Sequence, residues 1–129
     1  MQQMKRLPAT ELYVMLILWH SDQPVTSSYV MNQLKECWQK ELAITSVLTL
    51  LTRLSDKGFV KINKESKANL YSALVSEEDY SRLESKSILE KFYGNSLTSL
   101  VSSLVKDESI SSQDIDELRD FLNDLHKES

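Results

Sequence analysis

The residues with the most chemistry to offer lie in one short stretch, Ala43 to Lys57, AITSVLTLLTRLSDK. Wound as a helix at ~100° per residue, it places Thr45, Ser46, Thr49, Thr52 and Arg53 on one arc. A solvent-facing helix surface ordinarily carries Glu, Lys and Gln, which favour helices more than Ser or Thr. Short hydroxyl side chains let a backbone approach another surface closely. In the major groove of a duplex they can donate, accept or touch a thymine methyl, while a cation such as Arg53 can hold a phosphate. The same arc could instead pack on a partner helix. Lys61, Lys64 and Lys67 follow in an alternating stretch. They are placed to meet phosphates, or to keep an edge strand from pairing with a neighbour.

Other chemistries find little support. With only two glycines, neither glycine-rich nucleotide-binding motif can be built. His20 and His126 stand at opposite ends of the chain, and no Ser/His/Asp or Cys/His constellation is visible. The single cysteine, Cys37, excludes an internal disulfide framework and a cysteine-rich zinc site. Beside Trp38, it reads as a small buried hydrophobe. The expectation is a protein that is not an enzyme and needs no metal or cofactor. The longest apolar run, the eight residues Leu12 to Trp19, falls far short of the ~18 that span a bilayer. No secretory h-region opens the chain, so the expected compartment is the cytoplasm.

The net charge of −4 suits a nucleic-acid binder only when divided. Residues 1–75 hold nine Lys/Arg against six acids, a net of +3, and residues 76–129 hold six against thirteen, a net of −7. A mildly basic front half with an acidic back half suits a DNA-binding head and a separate oligomerisation tail.

The elements that must position these residues can be traced in order. Pro8 suits the first turn of a helix from about Ala9 to His20, with Leu12, Met15, Leu16 and Trp19 as its stripe. His20 would complement that helix's C-terminal dipole. After the turn Ser21 to Pro24, Thr26 or Ser27 caps a second helix whose face is Val30, Met31, Leu34 and Trp38. The third helix buries Ile44, Val47, Leu48, Leu50, Leu51 and Leu54 and stops at Gly58. FVKINK and NLYSALV alternate around the turn ESKA, as two short strands do. Three helices and then a hairpin is the order of a winged helix-turn-helix, whose third helix enters the groove.

Beyond Val75, Ser76 caps a helix to about Tyr93, and Gly94-Asn95 interrupts it. Ser96 caps a shorter helix to about Lys106. Ser111, with Asp114 and an Ile110/Ile115 staple, caps the last. Phe92, Leu97, Leu100, Val101, Leu104, Ile115, Leu118, Phe121, Leu122 and Leu125 carry more apolar surface than so short a segment can bury alone. A second copy of the chain would cover them. The expected fold is therefore mainly α with a small β-hairpin. A winged-helix head at residues 1–75 precedes a helical dimerisation domain at 76–129, and a two-fold dimer would demand a palindromic site.

LPATELYVMLILW, LLTRLSDKGFV, KESKANLYSALVSEEDY, KFYGNSLTSLV and ISSQDIDELRDFL together resemble the penicillinase-repressor (BlaI/MecI) family, over Leu7 to about Leu125. The resemblance implies a dimeric bacterial repressor on double-stranded, palindromic operators of resistance or stress genes. It implies that Thr45, Ser46 and Thr49 face DNA, Thr45 standing where a lysine is common, Ile44 where a proline often sits and Leu48 where glutamine is common. It also implies release through a membrane sensor-protease, with Ser103-Leu104 at the bond cut in relatives. A copper-responsive branch uses C-terminal cysteines, and this chain has none after Cys37. Two other readings stay open: a winged-helix protein-interaction module without DNA binding, and a sensor using His20, Cys37 and His126.

Overall fold

The computed structural model describes residues 4–65, 67–92 and 94–128. Helix α1 spans Ala9–Trp19 behind Pro8, and its buried residues are Glu11, Val14, Met15, Ile17 and Leu18. Of the expected stripe, Met15 is fully buried, while Leu12, Leu16 and Trp19 are only half-buried. The helix is apolar almost all round, so periodicity could not say which face the rest of the chain would cover.

Helix α2, Ser27–Trp38, begins where Thr26 Oγ1 accepts from the Tyr29 N–H at 3.1 Å, and ends at Gln39 in the left-handed region. Val30 and Leu34 are fully buried, and Trp38 stacks on Tyr13 with ring centroids 4.9 Å apart. Cys37 is exposed, contrary to expectation, its Sγ 3.5 Å from Gln33 Oε1. Cys37 falls seven residues after buried Val30, on the same side of α2, but at the last turn that side is left uncovered while the neighbouring Trp38 packs on Tyr13.

Helix α3, Ile44–Asp56, is stopped by local chemistry. Gly58 takes φ 85°, the Phe59 N–H donates to the Leu54 carbonyl at 2.9 Å, and the Gly58 N–H to that of Ser55 at 3.0 Å. This is a Schellman motif, with Leu54 and Phe59 both buried beside it. Strands β1, Val60–Asn63, and β2, Leu70–Ala73, pair antiparallel with Lys61 opposite Ser72 and Ile62 opposite Tyr71. Asn63 Oδ1 accepts from the Glu65 N–H at 2.9 Å and shapes the start of the turn. Ser66 lies outside the described residues. A bridge absent from the sequence reading joins Val25 to Tyr71, with reciprocal backbone bonds of 3.0 and 2.8 Å. It partners the other edge of β2 with the residue that leads into α2.

Helices α1, α2 and α3 pack pairwise, β1 lies against α3 and β2 against α1. A salt bridge locks the arrangement. Glu11, 4% exposed, receives a 2.7 Å hydrogen bond from Lys57 Nζ. Glu11 sits in the first turn of α1 and Lys57 is the C-cap of α3. Each charge thus stands at the end of its own helix that favours it.

Helix α4 spans Glu77–Phe92 behind Ser76, whose Oγ accepts from the Asp79 N–H at 3.1 Å. Its expected end near Tyr93 lies outside the described residues. Compact packing divides the chain within α4, between Glu84 and Ser85, rather than at its cap. The reason is Tyr80, only 2% exposed, against Trp19 and edge-on to Phe59. Its hydroxyl accepts from the Leu7 N–H at 2.7 Å and donates to Glu84 Oε1 at 2.6 Å, while Arg6 Nε holds Glu84 Oε2 at 3.0 Å. The first turns of α4 thereby belong to the head.

Burial, reinforced by the bond to Glu84, pushes the Tyr80 hydroxyl up to about 12 from the usual 10.0. Above pH 10 the unfolded chain sheds this proton while the folded chain keeps it, so stability is lost as pH rises from 10 to 12. Denaturant melts across that window should show the loss, and Tyr80→Phe should reduce it, being less stable at neutral pH because the Leu7 N–H loses its acceptor.

In the second unit, α5 spans Leu97–Lys106 and α6 spans Ser112–Glu128. Ser96 Oγ accepts from the Ser99 N–H at 3.1 Å. Ser111 and Asp114 cap α6 reciprocally, the Ser111 N–H donating to Asp114 Oδ2 at 2.8 Å and the Asp114 N–H to Ser111 Oγ at 3.1 Å. Among the described residues no helix is long and apolar enough to cross a membrane.

Candidate nucleic-acid interface

Helix α3 buries one narrow line, Val47, Leu51 and Leu54, each at 0% exposure. The opposite side is open. Thr45, Ser46, Thr49, Thr52 and Arg53 are all exposed, as the spacing predicts. Ile44 and Leu48 do not join the core as expected: they are 37% and 38% exposed. α1, α2 and β1 all pack on α3, and of its residues they leave only Val47, Leu51 and Leu54 fully covered, so the open arc reaches Ile44 and Leu48 and is wider than the apolar pattern suggests.

The arc therefore has three lanes at ~100° per residue. Ile44 and Leu48 form one flank, Thr45, Thr52 and Thr49 the centre, and Arg53 with Ser46 the other flank. An open cavity of about 350 Å³ beside the last lane is lined by Thr10, Leu42, Ser46, Thr49, Leu50 and Arg53. Thr49 Oγ1 donates to the Thr45 carbonyl at 3.0 Å. Its only hydroxyl hydrogen is thus engaged, and towards a ligand it can accept but not donate. At the entry to α3, Ala43 supplies no side-chain cap. An uncapped N-terminus leaves backbone N–H groups available to an anion.

Among the described residues Arg53, Lys61, Lys64 and Lys67 pair with no carboxylate, as Lys5, Lys40 and several tail lysines also do not, whereas Arg6, Lys35 and Lys57 do. Lys61 lies exposed on β1, and Lys64 and Lys67 lie exposed in the turn. The cations of the hairpin and of α3 are thus exposed and without a carboxylate partner among the described residues.

The tail residues fall on α5 and α6. No residue of α5 is buried. Leu100, Val101, Leu104, Ile115 and Leu118 are half-buried, and Leu97, Phe121, Leu122 and Leu125 are exposed. The side chain of Phe92 lies outside the described residues. Ser103 and Leu104 sit inside α5, in continuous helix. His20 faces Glu77, with Nε2 3.4 Å from Oε2. No cluster of His, Cys, Asp or Glu among the described residues could hold a metal.

Two features escaped the sequence reading. Exposure of Ile44 and Leu48 left no local signal. Glu11 did leave one: it falls in register with Leu7, Val14 and Leu18, an acid on a covered face.

Comparison with known proteins agrees with the fold. The family model described as penicillinase repressor matches residues 7–124. The chain is similar to a penicillinase repressor of Staphylococcus aureus, 33% identical over 114 residues, which are 88% of each chain. It is similar to the methicillin resistance regulatory protein MecI of Staphylococcus aureus strain N315, 32% identical over 117 residues, 91% of this chain and 93% of that one. Among solved structures it is similar to Bacillus licheniformis BlaI, in monomeric form in complex with the blaP half-operator. There the identity is 25% and the TM-score 0.50, over 62% of this chain and 94% of that one. A match running from the segment before α1 to within α6 carries head and tail together, and the chain belongs to the penicillinase repressor family, a family of transcriptional repressors rather than enzymes.

Proposed function

We propose that the protein is a homodimeric DNA-binding repressor holding a palindromic operator. α3 enters the major groove, with Thr45, Ser46 and Thr49 at base edges. Arg53 and the hairpin lysines Lys61, Lys64 and Lys67 hold phosphates. The observation that carries this is the open arc of α3, short-chained and ending in an unpaired arginine, on the third helix of a chain from a repressor family. The half-operator complex of the related BlaI supports the same docking.

Dimerisation is proposed through the second unit. Leu97, Val105, Phe121, Leu122 and Leu125 are each more than 40% exposed. A groove of about 360 Å³ runs between α5 and α6, lined by Leu97, Val101, Leu118 and Leu122. A second copy would cover both, and two-fold symmetry would present paired α3 helices to a duplex. Release by a membrane sensor-protease, cutting at Ser103-Leu104, would first require α5 to open there.

Gel shifts on the protein's own upstream DNA across a salt series test the reading. Log affinity should fall linearly with log salt, by ~0.9 per phosphate neutralised. Lys64→Ala and Lys67→Ala should each lower that slope by about one without changing sequence preference. Binding indifferent to salt, or no binding at low salt, overturns the proposal.

A further inference from the structure

The open arc of α3 includes two side chains that cannot make hydrogen bonds. Ile44 and Leu48 lie one turn apart, so they form a continuous apolar strip along the helix. One exposed leucine is ordinary. This strip is different because it borders Thr45 and Thr52 on the face that would enter the groove. Among the described residues of the head nothing covers it: each residue keeps over a third of its surface open.

A base pair offers the major groove polar edges and one apolar group, the thymine 5-methyl. A leucine laid over guanine N7 and O6, or over the cytosine amine, would strip water from those atoms and return no hydrogen bond. Over a thymine methyl the same leucine loses nothing and buries apolar surface. The neighbouring lane points the same way. The Thr49 hydroxyl hydrogen is engaged by the Thr45 carbonyl at 3.0 Å, so Thr49 cannot donate to a purine N7 or to guanine O6. Donors remain on the arc in Thr45, Thr52, Ser46 and Arg53, but along the strip itself neither Ile44 nor Leu48 supplies one.

We propose that Ile44 and Leu48 are specificity residues that read thymine 5-methyl groups, so that each operator half-site carries thymine opposite the first two turns of α3. The inference rests on α3 being the groove helix.

The test uses the full-length protein and a duplex from its upstream region. Each thymine of a half-site is replaced in turn by deoxyuridine, which removes the methyl and leaves every polar atom of the groove in place. For wild type, affinity should fall about threefold to fivefold at one or more positions, the effect of uncovering one methyl-sized group. In Leu48→Ala that sensitivity should vanish at one position, and in Ile44→Ala at another or the same one. Both substitutions fall on exposed sites, and unchanged thermal melting confirms that they leave the fold intact. Arg53→Ala should weaken thymine and deoxyuridine duplexes equally. If wild type binds every deoxyuridine duplex as tightly as the parent, the methyl reading is overturned while DNA binding stands. Full methyl sensitivity retained by both alanine variants overturns it too. Failure to retain any duplex at low salt overturns the groove reading, and this inference with it.

Discussion

On the proposed dimer, Leu122→Glu is expected to make the protein monomeric in solution and to weaken binding to the proposed palindromic operator by about two to four orders of magnitude. Leu122 is 44% exposed, beside Phe121 at 59% and Leu125 at 47%. Residues from Ser85 onward form their own compact unit. A unit this small buries too little surface to be secure alone, and no α5 residue is buried within it. In a two-fold dimer each substitution appears twice, so two carboxylates would enter one apolar contact. Glutamate is a good helix former, so α6 itself should persist. Sedimentation reads the oligomeric state, and gel shifts on full and half operators read the consequence. Half-site affinity should stay near wild type because α3 and the hairpin are untouched. A dimer that survives at the same concentration would remove α6 from the interface.

Lys57→Met should cost about 3 kcal/mol of stability, on the order of 10 °C in melting temperature for a domain of this size. The Glu11 side chain is 5% exposed and that of Lys57 40%. Methionine keeps most of the lysine's apolar stem and removes the charge, leaving a buried carboxylate alone. Most of the cost is this orphaned charge rather than the lost attraction. Glu11→Gln in the Lys57→Met background should therefore recover much of it, with a coupling above about 1 kcal/mol in the double-mutant cycle. A loss below about 0.5 kcal/mol would put the pair with ordinary surface salt bridges. The pair ties the start of α1 to the end of α3, so it also sets how firmly the open arc is held. Operator binding measured well below the melting temperature should change far less than stability does.

The sequence was readable wherever the deciding interaction is local. Thr26, Ser96 and Ser111 announce their helices because a cap is a hydrogen bond made within three residues. Gly58 announces the end of α3 because the Schellman turn needs a positive φ at that residue. The hairpin lysines and the hydroxyl arc were equally plain, since alternation and helical spacing place them outward whatever the neighbours are.

Burial was another matter. The apolar pattern of α3 treats Ile44, Leu48 and Leu51 alike, yet only Leu51 is covered. Cys37 and Val30 lie on one side of α2 by spacing, yet only Val30 is buried. By itself, then, the chain determined its helices, the caps and stops named above, its hairpin and the outward placement of Thr45, Ser46, Thr49 and Arg53. Only the tertiary structure decided that Ile44 and Leu48 join that surface, that Glu11 meets Lys57, that Val25 bridges Tyr71 and that Tyr80 draws the start of α4 into the head. The reason is range: caps and turns close within a few residues, whereas burial and long pairings depend on which distant element arrives to cover a face.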